Sequence, residues 1–157
     1  MTEQRALELA YRYLNRRERT VAEMRRHLEA RGCRADDIEA AIEQIQADGF
    51  LNDARYARMF AEDKRTLEQW GTERIERALL QRGIDRGLIA EAIGDNEDGG
   101  DLPRALALLD QRLQQPPRDR RERDRALGIL LRKGYEPELA LDALAAYARA
   151  GGDAASG

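Results

Sequence analysis

Few residues of this chain have types and spacing that could do chemistry. His27 is the single histidine, beside Arg25 and Arg26 in a helical pattern. A catalytic or metal-binding histidine needs partners at motif spacing, and none is present, so His27 reads as a partly exposed helix-face residue. Cys33 is the only cysteine, which leaves no disulfide framework and no C-x-x-C pair. The acidic pairs Asp36/Asp37 and Glu62/Asp63 are explained by capping and solvation. The first sits where a helix N-terminus favours negative charge, and the carboxylates of the second, adjacent in sequence, diverge around a helix. The glycines form neither G-x-G-x-x-G nor a phosphate loop. No catalytic, cofactor or metal signature is left.

The arginines are different. Residues 12–34 carry eight Arg against three Glu, residues 35–101 eight basic against seventeen acidic, and residues 116–135 seven basic against three. The net charge of −3 therefore hides a basic, acidic, basic division, which argues for an oriented partner. The candidate partner-binding residues are Arg16, Arg17, Arg19, Arg25, Arg26 and Arg31 in the first basic stretch. In the second they are Arg118, Arg120, Arg121, Arg123, Arg132 and Lys133. A solvated helical face is the plain reading of such runs, but the clusters recur in the same connection of a repeated unit. Their ligand would be phosphates or an acidic protein surface. Trp70, in a connection between helices, could anchor a partner; a clamp between modules is the favoured reading.

The elements that must position these residues follow from a repeat. Gly32, Gly83 and Gly134 are spaced by 51 residues, each preceded four residues earlier by Leu28, Leu79 or Leu130 and directly by Arg31, Arg82 or Lys133. Ala41, Ala92 and Ala143 lie nine residues after them. One supersecondary unit is repeated three times. In the first copy Thr20 and Glu23 make a T-x-x-E capping box, Val21, Met24 and Leu28 a helical stripe, and Gly32 a C-terminal cap. Ile38, Ala41, Ile42 and Ile45 line the next helix up to Gly49, and Leu7, Ala10, Tyr11 and Leu14 line the one before. The sequence predicts an all-α fold, an elongated array of three tandem three-helix repeats over residues 5–49, 52–94 and 101–150. Cys33 matches Ile84 and Tyr135, so it reads as a packing residue.

Asn52 is the expected N-cap of the second repeat, with Phe50 and Leu51 buried beside it as a staple between modules. The acidic stretch 94–101 reads as a flexible linker and residues 151–157 as a disordered tail. A module of about 45 residues buries too little apolar surface to be comfortable alone, so the modules are expected to lean on one another. The N-terminus is polar and helical in pattern, and no apolar run reaches the roughly 20 residues that span a bilayer, which points to the cytosol.

The stretches "ALELAYRYLNRRERTVAEMRRHLEARG", "IEAAIEQIQADGFLNDARYARMF" and "GTERIERALLQRGIDRGLIAEAI", covering about residues 6–93, resemble the RecX regulatory family of bacterial proteins that modulate the RecA recombinase. The most specific part is "GFLNDARYA" followed by the Gly71 to Ile75 helix start and the Arg82 to Ile84 cap. The resemblance implies a cytoplasmic monomer without cofactor or catalysis. It would bind RecA filaments in their groove and suppress ATP hydrolysis, strand exchange and co-protease activity, with weak DNA contact. The alternative from the residues alone is a helix-turn-helix-like DNA-binding protein, which a pI near 5.4 disfavours. A plain helical scaffold is the third reading.

Overall fold

A computed structural model describes residues 2–94 and 100–156, and the described residues form helices and connections with no strand. The first three helices are α1 (Glu3–Leu14), α2 (Val21–Ala30) and α3 (Ala35–Ala47). Local chemistry sets their ends. Thr2 caps α1 by accepting from the Arg5 amide, and Thr20 and Glu23 form the reciprocal capping box at α2. Gly32, at φ 83°, ends α2: its amide donates to the Glu29 carbonyl and that of Cys33 to Leu28. The helices bury Leu9, Met24, Leu28, Ile38, Ile42 and Ile45 against one another, with Cys33 packed on the edge of the cluster. At about 1.5–3 kcal/mol for each large side chain removed from water, this cluster is what makes three short helices one module.

Helices α4 (Asp53–Leu67), α5 (Thr72–Gln81) and α6 (Arg86–Ile93) follow. Asn52 accepts from the Arg55 amide as expected of an N-cap. Ala57, Ala61, Ile75, Leu79, Ile84, Ile89 and Ala92 are buried. Helices α7 (Asp101–Arg112), α8 (Arg120–Lys133) and α9 (Pro137–Ser156) enclose a second cluster of Ala105, Leu108, Leu109, Ala126, Leu130, Tyr135, Ala140, Ala143 and Leu144. The chain divides into two compact units, Met1–Phe60 with Ala78–Ala92 and Ala61–Arg77 with Ile93–Gly157. Each unit holds one complete three-helix module and part of the α4–α6 segment.

Three local expectations need comment. Leu51 is buried, but Phe50 is 56% exposed, in an edge-to-face pair with Tyr11 whose ring centroids are 5.9 Å apart. The Phe50 amide is tied to the Ile45 carbonyl by the turn at Gly49, and this extended exit sends Leu51 inward and Phe50 outward. Residues 151–156, expected as a disordered tail, continue α9 to Ser156. Gly151 lies so close to Pro116 that a Cβ would not fit. Of the expected linker over 94–101, residues 95–99 lie outside the described residues.

Candidate protein-binding surface

The arginines are positioned by a joint that the structure builds twice. In the first, the Thr20 hydroxyl at the start of α2 donates to the carbonyl of Arg82, 2.7 Å away, and the carboxylate of Asp53 accepts from the Val21 amide at 2.9 Å. In the second, the Gly71 amide at the start of α5 donates to the carbonyl of Lys133 at 2.7 Å, and Asp101 accepts from the Thr72 amide at 3.0 Å. Thr20 and Gly71, and likewise Arg82 and Lys133, are 51 residues apart. In each joint a glycine corner and the first residue of a following helix satisfy the free amides or the cap of a middle helix. The corner glycine must be glycine on two counts. Gly83 (φ 80°) and Gly134 (φ 98°) are left-handed, and a Cβ there would overlap Ala22 or Arg74.

Burial raises the Asp53 carboxyl above the usual range with help from Glu23, against the opposing Val21 hydrogen bond. At Asp101 burial again acts to raise the pKa, but the hydrogen bonds from Arg104, at 2.8 Å, and from Thr72 outweigh it and hold the carboxyl low. The second joint carries further ties. The buried Tyr135 hydroxyl donates to the Gln69 carbonyl at 3.0 Å, and burial pushes its pKa up to about 12. Trp70 lies between the cations of Lys64 and Arg74, 4.7 and 4.0 Å from its ring centroid. It therefore clamps α4 to α5.

The predicted basic residues separate sharply on this frame. Arg19 is only 7% exposed; its guanidinium covers the Tyr13 ring at 3.7 Å and Nε donates to the Tyr13 carbonyl. His27 stacks on the same ring with centroids 3.8 Å apart and planes 3° from parallel, which at van der Waals spacing requires the opposite face. Arg19 is thus held against Tyr13 in a cation, phenol and imidazole stack, with its side chain turned inward rather than out to solvent. Burial, with Arg31, Arg19 and Arg16 nearby, lowers the His27 pKa, so the imidazole is neutral at pH 7. Arg17 is paired with Glu23 at 3.0 Å, and Arg25 grips both carboxylate oxygens of Glu39 at 2.7 and 3.2 Å. Arg118 meets Glu122, and Lys133 Nζ donates to the Glu68 carbonyl at 2.7 Å.

What is left is an exposed set with no ion pair among the described residues: Arg16, Arg26 and Arg31 in the first module, and Arg120, Arg121, Arg123 and Arg132 on α8. Arg16 and Arg31 meet around His27, and Arg120 and Arg123 stand one turn apart on α8. Such a set can bind anionic surface. Among the described residues no group of three His, Cys, Asp or Glu could hold a metal, and no helix is long and apolar enough to cross a membrane.

Residues 6–44 match the family description "RecX, first three-helix domain" and residues 52–93 "RecX, second three-helix domain", together just over half of the chain. The chain belongs to the RecX family. The regulatory protein RecX of Leptothrix cholodnii is 34% identical over 130 residues, 83% of this chain and 81% of the relative. That of Trichlorobacter lovleyi is 31% identical over 83% of this chain and 87% of the relative. The crystal structure of RecX from Lactobacillus salivarius shares the fold, with a TM-score of 0.82, 20% identity and coverage of 92% of this chain and 96% of that one. These RecX relatives are named as regulatory proteins rather than enzymes. Three residues of this frame escaped the sequence reading: Tyr13, Asp53 and Asp101. The only sequence signal for the two aspartates was that each opens a helix directly after a module boundary.

Proposed function

We propose that this chain binds RecA recombinase filaments and suppresses RecA ATP hydrolysis, strand exchange and co-protease activity. It does so as a cytoplasmic monomer, by contact alone, with modules at residues 5–49, 52–94 and 101–150. The observation that carries the reading is the exposed, unneutralised arginine set on the first and third modules of a RecX-family chain, separated by an acidic middle. Basic side chains at both ends would meet acidic protein surface or filament DNA phosphates, while the acidic middle would meet basic protein surface.

The test is the rate of single-stranded-DNA-dependent ATP hydrolysis by RecA as the protein is titrated in, with retardation of naked duplex as control. A fall in rate at concentrations that leave duplex unretarded is the expected result. An unchanged rate with salt-sensitive duplex binding would replace the regulator with a helix-turn-helix-like DNA binder.

A further inference from the structure

The joint described above has a third copy of its acceptor half. Arg82 and Lys133 each offer a carbonyl, just before a left-handed glycine, to the start of a middle helix. Arg31 and Gly32 repeat that corner 51 residues upstream of Arg82. Gly32 has φ 83°, and its amide and the next close onto Glu29 and Leu28 as those of Gly83 and Ile84 close onto Leu80 and Leu79. Yet among the described residues no helix start donates to the Arg31 carbonyl, and Arg31 and Gly32 are exposed. The corner has the form of a docking element without its occupant.

Among the described residues no free middle-helix start matches it. The starts of α2 and α5 are already taken by the Arg82 and Lys133 corners. That of α8 is altered: by the 51-residue period its cap would fall at position 122, but Asp119 caps it and the helix begins at Arg120, one turn early. The extra turn fills the place where a corner would sit. It also puts Arg120, Arg121 and Arg123 in the first turn or so of α8, while Arg31 at the corner has Arg16 nearby around His27 and Arg34 three residues on in sequence. Like charges on both sides oppose docking between copies of this chain.

We propose that the Arg31–Gly32 corner is a protein-docking site that receives the N-terminus of a helix of the regulated partner. That helix carries carboxylates around its start. The two observed joints set the geometry: a donor at the cap reaches the carbonyl, and the first turn of the arriving helix passes directly over the glycine, Ala22 over Gly83 and Arg74 over Gly134. The arginines set the charge, and acidic residues suit a helix N-terminus in any case. The inference rests on the reading of RecA as partner.

Cosedimentation with RecA filaments on a single-stranded oligonucleotide tests it, using the full chain. Gly32→Asn keeps a residue that tolerates the left-handed cap but adds a side chain in the docking path. Gly49→Asn is the control, since Gly49 has φ 84° and open space where a Cβ would go. Thermal melts should shift equally for the two. Binding should weaken at least tenfold for Gly32→Asn and stay unchanged for Gly49→Asn. Equal binding by wild type and both variants would overturn the docking site while leaving RecA as partner. Failure of the wild type to bind would overturn the RecA reading and the site with it. If Gly32→Asn melts below its control, binding is compared at a temperature where both variants are fully folded: weakened binding by Gly32→Asn alone supports the site and wild-type binding overturns it.

Discussion

At the scale of single residues, two aspartates in equivalent positions are tuned in opposite directions. The Asp53 pKa is raised in the folded state, so its contribution to stability is present below the unfolded value of about 3.9 and is lost as pH rises through the folded value. That of Asp101 is lowered, so its contribution is present above about 3.9 and is lost as pH falls through the folded value. Asp101→Asn should therefore cost about 3 kcal/mol at pH 7, because it also removes the largely buried ion pair with Arg104, with a smaller loss in acid, below the folded value. Asp53→Asn should cost little or nothing at pH 7, since an amide oxygen can still accept from Val21. Urea melts at the two pH values check both, and a larger loss for Asp53→Asn at pH 7 would reverse the assignment. Tyr135→Phe should cost about 1 kcal/mol by removing the bond to the Gln69 carbonyl while keeping the ring in the core.

Much of this was beyond reach in the sequence for one reason. Caps and stripes are local: Thr20 with Glu23, or Leu28 with Gly32, can be read within a single turn of helix. Asp53 reaches Val21 across 32 residues and Asp101 reaches Thr72 across 29. Asp101 also closed an acidic run that read as linker. The charge runs were visible, but not which arginines are already satisfied. Arg19 is buried because the end of α1 presents Tyr13 to it, a contact of tertiary origin.

At the scale of elements, the middle helices α2 and α5 carry the joints, and their first residues do double duty. The Thr20 side chain accepts from the Glu23 amide, as a cap, and donates to the Arg82 carbonyl from a fully buried position. Thr20→Ala should cost about 2 kcal/mol, the sum of a lost cap and a stranded acceptor, whereas Thr20→Ser should cost under about 1. Chemical denaturation of the two variants checks this; equal losses would show that the methyl group, not the hydroxyl, matters. The 51-residue period made this visible in outline, since the corner glycines set the fold's rhythm. The early start of α8 broke that period, and nothing in "RDRRERDR" distinguished helix from connection.

At the scale of the whole molecule, charge is what the proposed function rests on: Arg16, Arg26 and Arg31 with Arg120, Arg121 and Arg123 are the contacts we propose for a filament partner. Arg17 and Arg25, though equally prominent in sequence, are neutralised by Glu23 and Glu39. Reversing Arg17 and Arg25 to Glu should therefore lower stability by roughly 1 kcal/mol with little effect on partner affinity, by thermal melts and cosedimentation together. The most direct measurement is the RecA ATPase inhibition curve of the Arg16→Glu, Arg26→Glu, Arg31→Glu triple variant against wild type. The account predicts a shift of at least tenfold toward higher protein with an unchanged melt, and coincident curves would contradict it.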